Sequence, residues 1–231
     1  GTGTGLTLLH EVPIPHSLGW FYAAITEFLG FEAYDGEYKV MGLAAYGREN
    51  LRLRKALESV VREGEHGWDY EVDPRFIHHG PHTYSDRFTD HLPEILGLAP
   101  RQGLTRLEPI HEDLAFEAQR VLEERVVRLL GHFREKTGLK NLCIAGGVGL
   151  NVKMNSRIYR SGIFDDMFVF PIPSDSGTSI GAALGVYHEA SGTRPKPVCK
   201  QIHLPDKEGT HRAGIQIYHS GQGKSHCRHL A

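Results

Sequence analysis

Two glycine-bearing stretches hold the residue types from which a ligand site could be built. In LCIAGGVGLN, residues 142–151, the adjacent Gly146 and Gly147 sit between an apolar run and a helical pattern. Glycine there lets the backbone take positive φ and approach a ligand closely, and the start of the next helix offers N–H groups to an anion or a ribose. The same pair would equally serve a plain turn from strand to helix. The dinucleotide fingerprint is a different pattern, because it requires G-x-G-x-x-G and an acid about 20 residues on. In PSDSGTSIGAALG, residues 173–185, Asp175 falls between an apolar run and a helix. Ligands in open α/β sheets gather at the carboxyl ends of strands, so a carboxylate there can hold a metal or order a water. Asp175 or Ser176 could instead cap the helix that follows.

Three further stretches hold residue types suited to similar chemistry. EYKVMGLA, residues 37–44, joins Glu37, Lys39 and Gly42 near a helix start and could face an anionic substrate, or could form an ordinary solvated face. His78, His79 and His82 lie in HHGPH. The Gly and Pro between them remove the i, i+4 geometry that helical metal ligands use, so the stretch reads as a polar loop. GQGKS, residues 221–225, lacks the first glycine of a P-loop because Tyr218 holds that position.

These residues need elements to position them. Leu6 to Val12 predicts a strand. Ser17 predicts the cap of a helix striped by Trp20, Phe21, Ala24, Ile25, Phe28 and Leu29 and ended by Gly30. Further helices are expected from Tyr38 to Tyr46 and after Asn50, where Leu53, Leu57, Val60 and Val61 share a face. A short strand is expected at Trp68 to Val72 and a helix from Ser85. The longest helical pattern runs from His111 to Thr137, with Leu114, Ala118, Val121, Leu122, Val126, Leu129, Leu130 and Phe133 on one face and Gly138 as its stop. After it, Leu142 to Ala145, Asn151 to Tyr159 and Met167 to Phe170 read as strand, helix, strand. A loop from Pro171 to Gly177 then leads to a helix striped by Ile180, Ala183, Leu184 and Tyr187. The order is α/β.

Composition bounds the function. The 231 residues carry a formal net charge of −2, so no whole-chain field favours a phosphate backbone or an anionic membrane, and neither partner is expected. No apolar run approaches the ~20 residues of a membrane span, and no basic segment precedes an apolar one at the start. Three cysteines without CxxC spacing fit neither a disulfide framework nor a zinc knuckle, which points to a reducing, cytoplasmic setting.

Three blocks taken together carry a family resemblance. They are IPHSLGWFYAAITEFLGFEAYDGEYKVMGLAAYG (14–47), HEDLAFEAQRVLEE (111–124), and NLCIAGGVGLNVKMNSRI through PSDSGTSIGAALGVY (141–187). In order and spacing they resemble the O-carbamoyltransferases of nodulation-factor and antibiotic biosynthesis. The resemblance implies an actin-like ATPase (ASKHA, ribonuclease H-like) fold similar to the catalytic subunit that makes threonylcarbamoyl-adenosine in tRNA. It further implies that a carbamoyl-adenylate, made from carbamoyl phosphate and ATP in a separate adenylate-forming domain, is received here and its carbamoyl group passed to a hydroxyl of a small-molecule or sugar acceptor. Carried over, Gly146, Gly147, Asn151 and Gly177 would hold the nucleotide, and Asp175 would bind a divalent metal, iron or similar. His16 and Lys39 are the candidates on the substrate side, with Gly42 beside them. That family's domain opens with a stretch bearing two metal-binding histidines, which has no counterpart here, so the fold is expected to be incomplete at the N-terminus and the metal site incomplete.

The expected organisation is a first-lobe remainder with a connecting region over 1–110, a nucleotide-binding lobe over 111–190, and a tail over 191–231 that does not resemble the family. Residues 200–231 hold five of the 15 histidines and no amphipathic period, and the chain beyond about Lys200 is expected to be poorly ordered and dispensable. A non-catalytic nucleotide-binding module of the same fold is the competing reading. A sugar-kinase-like ATPase ranks behind both, since no phosphate loop precedes the first helix.

Overall fold

The computed structural model describes residues 6–79, 86–103 and 105–193, and the backbone of 201–205 and 212–216. It is an α/β chain that divides into two units, 1–177 and 178–231. The first unit is built around α5 (Pro109–Thr137), against which α1 (Leu18–Phe28), α2 (Glu37–Leu43), α3 (Leu51–Val60) and α6 (Val152–Ser161) pack. The short α4 (His91–Leu96) lies on α3.

The core follows from the apolar stripes. Phe21, Ile25 and Phe28 from α1, Leu53 and Leu57 from α3, and Leu114 and Leu122 from α5 are all but inaccessible to water. Each such side chain contributes roughly 1.5–3 kcal/mol relative to exposure. Local chemistry sets the helix ends. The Asn50 side chain accepts from the Leu53 N–H to cap α3, and Glu108 and His111 form a reciprocal capping box at the start of α5. In that box His111 Nδ1 accepts from the Glu108 N–H at 3.0 Å, and Gly138 ends the helix in the left-handed conformation.

Two small sheets complete the first unit. Strands β1 (Val61–Glu63) and β2 (Tyr70–Val72) pair antiparallel, with Val61 opposite Val72. Strands β3 (Asn141–Ile144) and β4 (Asp166–Val169) pair in parallel, with Asn141 opposite Asp166 and Ile144 opposite Val169. Helix α6 makes the crossover between β3 and β4, as the sequence predicts. In the second unit, α7 (Thr178–Ser191) is followed by β5 (Gln201–Pro205) and β6 (Arg212–Gln216), which pair antiparallel.

Four expectations are corrected. Residues 6–12 form no strand, because Leu6, Leu8 and Leu9 are exposed and find no partner strand among the described residues. The helix after the polar loop begins at His91 rather than Ser85, which itself lies outside the described residues. Helix α2 stops at Leu43, three residues early, when the backbone tightens and the Tyr46 N–H turns to the Leu43 carbonyl. The tail expected to lack regular structure holds the β5–β6 pair, because backbone pairing needs no amphipathic period. The absence of a helix long and apolar enough to cross a membrane applies to the described residues.

Candidate functional site

The two glycine-bearing stretches meet at the carboxyl ends of β3 and β4. The chain leaves β3 through Ala145 into Gly146, whose φ of 98° is one that side-chain-bearing residues avoid. A 3-10 turn follows over Gly147–Leu150. The Gly146 N–H donates to the Pro173 carbonyl at 2.5 Å, which ties this turn to the loop after β4. Ala145, Gly146 and Gly147 are exposed, and a Cβ on either glycine would meet nothing within 4 Å. Among the described residues nothing occupies the space over either glycine, at the strand ends where α/β sheets bind their ligands.

Asn151 ends the turn and caps α6, its Oδ1 accepting from the Met154 N–H at 2.9 Å. It is only 9% exposed. Its side chain faces inward to Gln119 of α5: Asn151 Nδ2 donates to Gln119 Oε1 at 2.9 Å, and Gln119 Nε2 donates to Asn151 Oδ1 at 2.9 Å. Gln119 Oε1 also accepts from the Tyr22 hydroxyl at 2.8 Å, and its Nε2 also donates to Glu123 Oε1 at 2.7 Å. Arg157 of α6 donates to the other Glu123 oxygen at 3.1 Å. Burial raises the Tyr22 hydroxyl pKa well above its ordinary value, so it stays a protonated donor.

Asp175 opens the 3-10 turn Asp175–Gly177 and is exposed. Gly177 donates its N–H to the Ser174 carbonyl at 2.9 Å. A Cβ there would overlap the Ile172 carbonyl oxygen, so close chain approach within the loop already requires glycine. The loop thus brings Asp175 to the same strand ends as Gly146 and Gly147.

His16 and Lys39 sit on other elements. His16 Nδ1 lies 3.0 Å from the Val72 carbonyl oxygen and 3.2 Å from the Val72 N–H, so the ring seals the free side of β2. The Lys39 ammonium lies over the rings of Phe31 and Tyr38, at 5.8 and 5.6 Å from their centroids. Gly42 is exposed on α2 with open space around it. No hydrogen bond or ion pair among the described residues joins His16, Lys39 or Gly42 to the glycine turn.

His78 Nδ1 is 3.1 Å from the Asp86 carbonyl oxygen, His79 is exposed, and His82 lies outside the described residues. Among the described residues no group of three or more His, Cys, Asp or Glu is placed to hold a metal ion. A cavity of about 710 Å³ lined by Glu27, His78, Asp86, Asp90, His91 and Glu94 shares no residue with the glycine turn. Its lining is acidic, which disfavours an anionic ligand.

Sequence reading missed Tyr22, Gln119, Glu123 and Arg157. The available signal was polar residues set inside an apolar face: Gln119 lies four after Ala115 and three before Leu122, both buried.

The profile of the carbamoyltransferase N-terminus family matches residues 2–184. The chain is similar to the uncharacterised protein sll1178 of Synechocystis, at 36% identity over 82% of this chain and 30% of that protein. It is similar to nodulation protein NolNO of Sinorhizobium fredii, at 34% identity over 92% of this chain and 29% of the relative. It is also similar to nodulation protein NolO of Bradyrhizobium diazoefficiens, at 35% identity over 89% and 34%. The chain therefore spans about a third of the length of the curated relatives it matches.

Proposed function

Because this chain belongs to the carbamoyltransferase N-terminus family, we propose that it receives a carbamoyl-adenylate at the Gly146–Gly147 turn and takes part in passing the carbamoyl group to a hydroxyl of a small-molecule or sugar acceptor. The observation that carries the reading is the joining of the two loops at the carboxyl ends of β3 and β4, with open space over both glycines. On this reading the turn admits the nucleotide to close backbone contact, as an exposed glycine pair at a strand end can. Asn151 supports the turn from beneath. The α/β arrangement is then read as part of an actin-like ATPase fold, and the adenylate is supplied by a separate adenylate-forming domain.

A divalent metal is a poor fit to the described residues. Among the described residues no group of three or more His, Cys, Asp or Glu includes Asp175, and a catalytic ion needs about three protein ligands. No step is assigned to a metal in this chain.

The test is binding of AMP or ATP by the 231-residue chain, read as a rise in melting temperature. A nucleotide at 100 times its dissociation constant stabilises the fold by ~2.7 kcal/mol. Gly147→Val should abolish the rise while leaving the fold intact, since a Cβ at 147 meets no described atom within 4 Å. Absence of any shift in the parent chain at millimolar nucleotide defeats the reading.

A further inference from the structure

The buried polar chain beneath the glycine turn has a fixed direction. The Glu123 carboxylate is held by Arg157 and can only accept, so it obliges Gln119 to present its amide nitrogen. That choice leaves Gln119 Oε1 facing Asn151 Nδ2 and the Tyr22 hydroxyl, and Gln119 Nε2 facing Asn151 Oδ1. Asn151 is thereby fixed with its oxygen toward α6, where it caps the Met154 N–H. All four hydrogen-bonding positions of the Gln119 amide are used, and Gln119 is itself buried.

We propose that Gln119 is a positioning residue of the nucleotide site, whose amide polarity orients Asn151 and so sets the Gly147–Leu150 turn. This rests on the reading of the turn as a nucleotide site. Gln119 touches no ligand; it acts through Asn151, which closes the turn on its carboxyl side. A residue of equal volume without the amide leaves the Tyr22 hydroxyl, Asn151 and Glu123 with unmet partners. A carboxylate at 119 faces Glu123 across the position of the 2.7 Å bond and offers Asn151 Oδ1 no donor.

The experiment measures AMP affinity calorimetrically in the parent chain, Gln119→Met, Gln119→Glu and Tyr22→Phe, with folding followed by circular dichroism. Tyr22→Phe removes one donor to Gln119 Oε1 and leaves both Gln119–Asn151 bonds and the Gln119–Glu123 bond in place. Gln119→Met and Gln119→Glu should each weaken AMP binding by about tenfold or more, as loss of an orienting partner behind a binding residue does. Tyr22→Phe should keep affinity near the parent value, because Asn151 keeps its orientation. A merely structural role lowers the melting temperature with unchanged affinity in the folded variants, and that result overturns the proposal. So does a Tyr22→Phe chain that folds yet binds AMP about tenfold or more weakly, since both Gln119–Asn151 bonds remain in it; that result stays decisive if Gln119→Met or Gln119→Glu fails to fold. If the parent chain itself binds no AMP, the nucleotide reading falls and the proposal with it. If the parent binds and all variants bind equally, the proposal alone falls.

Discussion

The helical body and the β3–β4 pair are held by different physics. In the body, α1, α3 and α5 share a dry apolar core in which Phe21 and Leu114 reach 0% exposure. Neither β3 nor β4 contributes a fully buried residue; along each strand exposed and half-buried positions alternate. The site end is instead anchored through Met154 and Ile158 of α6 and through the Tyr22–Gln119–Asn151–Glu123–Arg157 chain. Apolar burial stabilises the body without choosing one orientation of a side chain. Hydrogen bonds choose an orientation and add less energy, about 0.5–1.5 kcal/mol net each. The stable part and the oriented part of this unit are thus largely separate.

The sharpest way to break that contrast is to open a void on each side. Phe21→Ala should destabilise the chain by ~3–5 kcal/mol, whereas Phe168→Ala on β4, 42% exposed, should change stability by no more than about 0.5 kcal/mol. Denaturant midpoints of the two variants measure the difference, and equal losses would show that the strand pair shares the core.

The next largest effect concerns charge inside the body. Glu117 of α5 is fully buried, accepts from the Asn50 N–H at 2.8 Å, and lies 3.7 Å from the Arg54 guanidinium. Arg54→Met should cost about 3 kcal/mol by leaving that buried carboxylate with only the Arg120 guanidinium, 3.9 Å away, and Arg54→Met/Glu117→Met should recover much of the loss. A double variant as unstable as the single one would mean the pair contributes through its packing alone.

A smaller loss is expected at the site end. Asn151→Ala removes a helix cap and leaves Gln119 with unmet groups, roughly 2 kcal/mol in all. Hydrogen exchange should show the loss concentrated at the amides of α6 and the glycine turn, with those of α1 little changed.

The smallest effect is pH-dependent and belongs to the body. Burial holds His111 below its ordinary pKa of 6.5, with the Glu108 carboxylate opposing and the Arg101 guanidinium reinforcing that direction. The folded chain then favours the neutral ring, and the unfolded chain takes up the proton more readily. The contribution is complete above about pH 6.5 and is lost as pH falls through the lower folded value. Melting scans between pH 5 and 7.5 should fall on the acid side, and His111→Gln, which keeps an acceptor for the Glu108 N–H, should flatten that fall.

The two regions were not equally legible in the sequence. The stripes of α1, α3 and α5 repeat with helical period over enough turns to place Phe21, Leu57 and Leu122 inward, and Asn50 and Gly138 mark ends by residue type. The order β3, Gly146–Gly147, α6, β4 was readable because glycines interrupt two apolar runs. Partnership across the chain was not. Asn151 and Gln119 are 32 positions apart, and local patterning cannot tell an asparagine that faces a ligand from one that faces a helix. Leu6 to Val12 alternates and β-branches like a strand, yet strand formation depends on a neighbour to pair with. The joining of Pro173 to Gly146 is equally long-range.

That single bond between the Gly146 N–H and the Pro173 carbonyl has a thermodynamic consequence. Two loops joined backbone to backbone share one set of fluctuations, so ordering either lowers the entropic cost of ordering the other. On the proposed reading of the glycines as a ligand site, linkage is reciprocal: whatever tightens the Asp175 loop would raise affinity at the glycines by the factor with which a ligand on the glycines tightens the Asp175 loop.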